Sequence, residues 1–243
     1  MYRHIKNYRL KYTDVDAFDR LKLSSLLSCL EESACLSADE LGFGYDNLAP
    51  VNLGFILVNI YIKFERAINF GETLTVHTWP LRPKYLVFLR DSELYVGDEK
   101  VGCVTARWCM IDTTTFSVTP ASAYFKDGDF DNYNTERSVD FSGWKIPSVT
   151  QGEECYCKKV TYSDYDHYQH VNNTKYADFL MDVFSVDELK NRAIDSVQIT
   201  YVKQCKEGEV LRFYKQECGG GYLVEGRVDG ETRVQMRILF NAV

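Results

Sequence analysis

Tyr162-Ser163-Asp164-Tyr165-Asp166-His167-Tyr168-Gln169-His170-Val171-Asn172-Asn173-Thr174-Lys175-Tyr176 places an acid, an imidazole and two amides directly ahead of an apolar helical pattern. After Asn173, the residues Tyr176, Phe179, Leu180, Val183 and Phe184 fall at the i, i+3, i+4, i+7 and i+8 positions of one helix face. The spacing therefore predicts Asp166 and His170 at a helix N-terminus. Free backbone N–H groups and the positive pole of the dipole at such an end polarise a carbonyl and stabilise the oxyanion formed when it is attacked. Asx-type residues there are also ordinary caps. Capping is the simpler account of any one of them; for Asp166 and His170 together the pattern points to chemistry.

Laying residue n on residue n+150 exposes an internal repeat, with Tyr12-Thr13-Asp14-Val15-Asp16 falling on Tyr162-Ser163-Asp164-Tyr165-Asp166 and Arg20 on His170. The first copy then also turns into a helical pattern, with Leu23, Leu26, Leu27, Leu30 and Ala34 on one face. It carries Arg20, Lys22 and Leu23 where the second has His170, Asn172 and Asn173, so the imidazole is missing there. Beyond each helix come branched and aromatic segments that predict strands. These are 56–64, 72–79, 85–95 and 101–111 in the first copy, and 197–201, 209–216, 222–228 and 232–240 in the second. Gly71-Glu72 precedes Tyr85-Leu86-Val87 at the same offset as Gly208-Glu209 precedes Tyr222-Leu223-Val224. A helix followed by a four-strand antiparallel meander, made twice, is an α+β architecture. The predicted units are residues 1–125, a linker at 126–154 and residues 155–243. Turn-forming residues such as Asp127-Gly128-Asp129 and Ser142-Gly143 mark the linker, while Phe141 and Trp144 predict that it packs down. The first copy has a longer insert after its helix, from Gly42 to Gly54, placed to cover one end of a pocket.

A chain of 243 residues buries roughly 70–75% of its unfolded surface. The net charge of −7 argues against nucleic acid as a general partner. The basic residues of Met1 to Lys11 have no apolar run behind them, and the most apolar segment, Gly54 to Tyr61, is too short to span a bilayer. A soluble cytoplasmic protein is expected. The eight cysteines lack the spacing of a secreted scaffold and read as free core thiols. Cys155 and Cys157 with His167 and His170 make a zinc site only on paper, since their spacing is tighter than usual. No nucleophile elbow, phosphate loop or dinucleotide fingerprint is present, and Gly219-Gly220-Gly221 lies between two strand patterns, where it reads as a hairpin. No cofactor and no metal are implied.

The run D-x-D-x-x-x-H-V-N-N-x-x-Y over Asp164 to Tyr176, followed by a helix, resembles the catalytic segment of plant and bacterial acyl-acyl carrier protein thioesterases. Leu41-Gly42-Phe43-Gly44, Trp108-Cys109-Met110-Ile111-Asp112 and Tyr201-Val202-Lys203-Gln204-Cys205 extend that resemblance over nearly the whole chain. It implies tandem hot-dog domains, each an antiparallel sheet wrapped around a central helix. It also implies hydrolysis of fatty acyl-acyl carrier protein to free fatty acid and carrier thiol, within fatty acid biosynthesis. An acyl-coenzyme A thioesterase of the same fold and a non-catalytic acyl-binding or regulatory protein are the alternatives.

Asp166 matches the family's carboxylate and is the candidate base or nucleophile, with His170 assisting. Asn172 and Asn173 hold the loop or contact substrate. Two positions depart from the family pattern: Tyr168 stands for an Asn, and Gln204 for a Glu. Tyr168 would donate to an oxyanion or simply pack, as Phe18 does at the equivalent place; Gln204 removes a carboxylate from the constellation. Cys205 matches a cysteine discussed as a nucleophile, yet an unperturbed thiol is only about 3% thiolate at neutral pH. Nucleophile and bystander therefore both stand for Cys205, and loss of the acid at 204 leans against the covalent route. The implied partner is an acyl carrier protein, with Lys203, Lys206, Arg212 and Lys215 as candidate contacts near the site in sequence. A homodimer is left open.

Overall fold

In the computed structural model the described residues are 1–126, 128–167 and 169–242. Asp127, Tyr168 and Val243, including the aromatic expected beside the site at 168, lie outside the described residues. The first half contains β1 (His4–Arg9), α1 (Leu23–Glu40), α2 (Tyr45–Leu48), β2 (Leu53–Phe64), β3 (Thr73–Pro80), β4 (Phe88–Val96), β5 (Glu99–Asp112) and β6 (Val118–Thr119). The second contains β7 (Glu153–Lys159), α3 (Asn173–Met181), α4 (Val186–Leu189), β8 (Arg192–Tyr201), β9 (Val210–Cys218), β10 (Gly221–Val228) and β11 (Glu231–Ala242).

These strands form one sheet in the order β1-β3-β4-β5-β2-β8-β11-β10-β9-β7, with β6 added to β5. Two five-stranded halves therefore meet where β2 pairs with its counterpart β8, antiparallel, from Asn59↔Thr200 to Lys63↔Ser196. Ile60, Ile62, Val197 and Ile199 at this seam are buried, and Asn59 Nδ2 donates to Thr200 Oγ1 at 2.8 Å across it. One hydrophobic core contains side chains of α1, α3 and both half-sheets.

All five residues predicted for the face of α1 are buried, as are all five predicted for the second helix. That second helix is shorter than the pattern suggested. It ends at Met181, because Phe184 N–H turns back to the Met181 carbonyl and Ser185 opens α4 with its own capping box, accepting from Glu188 N–H. Neither half is a simple meander. β2 pairs with β5 and β3 with β1, since β2 must lie at the centre to reach β8. β1 and β7, the edge strands, lie in stretches from which no strand was expected. The matched Gly71 and Gly208 both adopt positive φ, 88° and 86°, at the turn into β3 and β9, a conformation that favours glycine.

The segment between the halves packs on the sheet. Phe141 stacks on Tyr61 with ring centroids 3.9 Å apart, Trp144 sits edge-on to Phe141, and Gln198 Nε2 donates to the Trp144 carbonyl at 2.8 Å. Buried Asp91 accepts from Arg137 Nε and from Ser138 N–H, each at 2.8 Å.

The shared seam and core predict a single cooperative unfolding transition for both halves. Truncating fully buried Ile62 to Ala should cost about 2–5 kcal/mol. Urea titrations followed by circular dichroism and tryptophan fluorescence should move to lower midpoint together; separation of the two curves would show that the halves unfold independently.

Candidate active site

The loop before α3 is built by its own backbone. Thr161 and Asp164 form a capping box, Tyr165 bridges to Val171, and Asn172 N–H donates to the Asp164 carbonyl at 2.9 Å. Asp166 N–H donates to the His170 carbonyl at 2.8 Å, Gln169 N–H returns to the Asp166 carbonyl, and His170 N–H donates to Asp166 Oδ1 at 3.2 Å. Gln169 takes φ 61° to close this turn. The first copy repeats the design bond for bond: Asp16 N–H reaches the Arg20 carbonyl, Arg20 N–H reaches Asp16 Oδ1, Lys22 N–H reaches the Asp14 carbonyl, and Asp19 has φ 61°. There the guanidinium of Arg20 also pairs with Asp16 Oδ2 at 3.1 Å.

Asp166 thus has a structural duty that Asp16 shares. The bond that this carboxylate accepts from residue 170 is made by its backbone amide. The imidazole of His170 meets the ring of Phe116, edge-on at 5.9 Å, from the turn after β5. His167 is exposed and packs edge-on against Tyr45 of α2, so the Gly42 to Gly54 insert flanks this loop.

Asn172 is the N-cap of α3. Its Oδ1 accepts from Thr174 N–H at 2.7 Å and from Thr174 Oγ1, and its carbonyl accepts from Lys175 N–H at 2.9 Å. Two of the first three helical N–H groups are therefore used locally, which corrects the expectation of an open set of donors. The Asn173 carbonyl accepts from the Tyr201 hydroxyl at 3.2 Å.

Gln204 is exposed, whereas Cys205 beside it is buried, and its N–H donates to the Tyr176 hydroxyl at 3.1 Å. Burial pushes the Cys205 thiol pKa up, and the groups around it are the Tyr176 hydroxyl, Glu209 and Arg233. The Cys205 loop is tied to the Asp166 loop by Glu207 N–H donating to the Tyr165 hydroxyl at 2.6 Å. Lys203, Arg212 and Lys215 are paired with Glu231, Glu154 and Glu188, so three of the four candidate carrier contacts already have acidic partners. Among the described residues no group of three His, Cys, Asp or Glu side chains converges as a metal would require, and Cys155 and Cys157 are exposed on β7.

A cavity of about 30 Å³ runs between α1, the interior of β2, β4 and β5, and the start of α3. Leu27, Leu30, Ala34, Ile60 and Val104 give it an apolar wall; Asn173, Thr174 and Tyr201 bring it to the second copy. It also contains groups that the sequence reading missed. Trp108 lines it, with a buried indole N–H that has no acceptor among the described residues. Arg90, on β4, donates from Nη1 to Ser37 Oγ at 2.8 Å, and burial lowers its pKa to about 10. Glu31, on α1, has its carboxyl pKa raised by burial and then by the charge of Asp166. The available signal for Glu31 was positional: an acid one turn from Leu27 and from Ala34, on the flank of the apolar stripe.

A large antiparallel sheet packed against the two helices α1 and α3, made from two copies of one module, is a tandem hot-dog fold. The same fold is seen in an acyl-ACP thioesterase from Bacteroides thetaiotaomicron, with a TM-score of 0.89 at 22% identity over 98% of each chain. It is seen again in a 12:0-ACP thioesterase from Umbellularia californica, with a TM-score of 0.86 at 17% identity over 99% of this chain and 98% of that one. Residues 1–121 match the acyl-ACP thioesterase N-terminal domain and residues 150–242 the C-terminal domain. The chain belongs to the acyl-ACP thioesterase family. It is 22% identical to a chloroplastic palmitoyl-acyl carrier protein thioesterase of Gossypium hirsutum, over 85% of this chain and 53% of that protein. To a chloroplastic oleoyl-acyl carrier protein thioesterase of Arabidopsis thaliana it is 21% identical, over 78% of this chain and 57% of that protein. It spans about half the length of these curated relatives. No helix among the described residues is long and apolar enough to cross a membrane.

The buried, raised thiol predicts that iodoacetamide alkylates Cys205 far more slowly than exposed Cys157 in the folded protein at pH 7.5. Peptide mass spectrometry over a time course checks this; equal rates would place an activated thiolate at 205.

Proposed function

We propose that this chain hydrolyses the thioester of a fatty acyl-acyl carrier protein, releasing the fatty acid and the carrier thiol within fatty acid biosynthesis. The observation that supports the proposal is that a largely apolar cavity lined mainly by the first copy reaches Asn173 and Thr174 at the start of α3, the helix that follows the Asp166 loop, while Asp166 and His170 themselves are not among its lining residues. In this reading residues 1–125 shape the acyl site, 126–154 connect, and 155–243 supply the chemistry. Asp166 takes the proton of a water that attacks the carbonyl carbon, or attacks directly, and His170 assists from the same loop. Asn172 holds the helix start, while Asn173 and Gln204 border the substrate. Cys205 contributes packing, a role supported by its burial and by the Tyr176 hydroxyl and Arg233 around it. The proposed compartment is the cytoplasm, supported by eight cysteines that all stand free.

Asp166→Asn keeps an oxygen to accept the His170 amide but loses the basic charge, so turnover should vanish while the melting temperature holds. Near-normal turnover would remove Asp166 from the mechanism. His170→Ala should lose at least about 10²-fold in kcat, and a loss below about tenfold would reduce it to scaffolding. Cys205→Ala should retain a substantial part of the activity; an acyl adduct on Cys205 forming and decaying at the turnover rate in quenched mass spectrometry would overturn this assignment. Parallel assays with acyl carrier protein and coenzyme A thioesters of graded length test the carrier, and absence of turnover on both would leave a binding protein.

Ala34 lines the cavity, so Ala34→Phe should shift the preferred acyl chain to shorter lengths. Melting separates this from simple overpacking. Stable variants with the parent length profile would place the acyl site elsewhere.

A further inference from the structure

Arg90 is a buried charge that the hydrolase reading leaves unused. It is 9% exposed on β4 and lines the cavity together with Ser92, which lies two residues on and on the same face of the strand. Its Nη1 donates to Ser37 Oγ of α1 at 2.8 Å and to Thr78 Oγ1 of β3 at 3.4 Å. Both acceptors are neutral hydroxyls. Thr78 Oγ1 also accepts from Ser92 Oγ at 2.9 Å and donates to the Asp91 carbonyl at 3.2 Å, so it is already shared. Among the described residues neither Nε nor Nη2 of Arg90 has an acceptor, and no carboxylate forms an ion pair with it. A buried cation ordinarily sits against a counter-charge, because removing it from water costs more than neutral hydrogen bonds return. Trp108 lines the same cavity, and its buried indole N–H has no acceptor among the described residues. Two side chains of one lining thus hold donors that an apolar chain cannot satisfy.

Strand register fixes where the guanidinium stands. Arg90 pairs with Ala106 of β5, Ala106 with Ile60 of β2, and Ile60 with Ile199 of β8. Arg90 is therefore three strand spacings from β8, roughly 14 Å. Tyr201 of β8 donates to the Asn173 carbonyl at the start of α3, and Ala106 and Ile60, on the two strands between, line the cavity with apolar side chains. An acyl group with its thioester at the start of α3 and its chain along this row brings its distal end, not its carbonyl, to Arg90.

We propose that Arg90 is a specificity-determining residue and that the preferred substrates are acyl thioesters whose chain ends in an oxygen acceptor, either a hydroxyl or a carboxylate. This rests on the hydrolase reading above and names the substrate class of that same site. The terminal oxygen accepts from the guanidinium in place of water, and a carboxylate supplies the missing counter-charge as well. Trp108, two residues beyond Ala106 on β5, offers a second donor partway along. A plain chain covers the charge without replacing a bond, and a site built around polar donors disfavours the analogue that leaves them unpaired. An oxygen next to the thioester, as in a 3-hydroxyacyl group, stays at the α3 end and does not reach Arg90.

The test uses acyl carrier protein thioesters of graded length, each as the plain, 3-hydroxy, terminal-hydroxy and terminal-carboxy chain. At the best length, kcat/KM for a terminally oxygenated chain should exceed that for the plain chain by about tenfold or more. Arg90→Met should bring this ratio to within about twofold of unity and leave the ratio of 3-hydroxy to plain chains unmoved. Arg90→Lys keeps the charge and should retain part of the preference. Methionine removes an uncompensated buried charge, so the Arg90→Met melting temperature should equal or exceed that of the wild type. Terminal oxygen that confers no advantage at any length would overturn the proposal, as would a preference that survives in Arg90→Met. A preference lost together with a lowered melting temperature in both variants would also overturn it, leaving Arg90 as a brace between α1 and β4.

A second measurement needs no turnover. Calorimetry compares the binding of a free fatty acid, its terminal-hydroxy form and the dicarboxylic acid of equal length to the wild type and to Arg90→Met. The wild type should bind an oxygenated acid about tenfold more tightly than the plain one, and the variant should not. Failure of the wild type to cleave any acyl thioester would strike at the proposed function, and calorimetry would then decide the subsite by itself: equal binding of all three acids removes it, and a preference abolished by Arg90→Met upholds it.

Discussion

The pairing of β2 with β8 is the constraint on which the rest of this molecule depends. Each half-sheet alone would leave an unpaired central edge and an apolar face next to it, both costly in water. Joining the two edges satisfies both and brings α1 and α3 into one core. As a result the first copy's cavity opens onto the second copy's helix start. The cavity is thereby lined by residues of both modules.

The duplicated loop shows what a module keeps when its side chains diverge. Asp14, Asp16 and the left-handed residue at 19 make the same backbone bonds as Asp164, Asp166 and the left-handed residue at 169. In the first copy the acid is further neutralised by Arg20, whose side chain also donates to the Leu189 and Arg192 carbonyls in the second half. Replacing that arginine by His170 leaves the loop standing and changes its charge balance, which is how a scaffold position can become available for proton transfer.

The helix faces, the repeat and most strand positions were legible because period and turn chemistry are local. Leu23 to Ala34 and Tyr176 to Phe184 were found on those grounds, and all of the residues named on those faces are buried. What escaped was set by long-range pairing. β1 lies in a basic stretch weighed only against a secretory signal, and β7 begins at the end of the predicted linker; edge strands need alternation on one face only, and these are rich in Lys, Arg and Glu. The order of β2 was missed because nothing in its own residues states that its neighbour is β8. The loop residues of the candidate site were legible as a cluster, but Glu31, Arg90 and Trp108 were not; they come to the cavity from α1, β4 and β5 only through the folded sheet.

The polarity of the cavity limits how an acyl chain can be received. Leu27, Leu30, Ala34, Ile60 and Val104 give it an apolar wall on which methylene groups could pack, and Arg90 and Ser92 interrupt that wall. The Ser37 that holds Arg90 is six residues beyond Glu31 on α1, about 9 Å along the helix. Past the apolar wall, therefore, stands a guanidinium with no carboxylate paired to it among the described residues. Covering that charge with methylene groups would remove its remaining solvation without replacing a bond. On the proposed reading, the favourable path for a chain therefore ends where Ser37 of α1 holds Arg90 of β4.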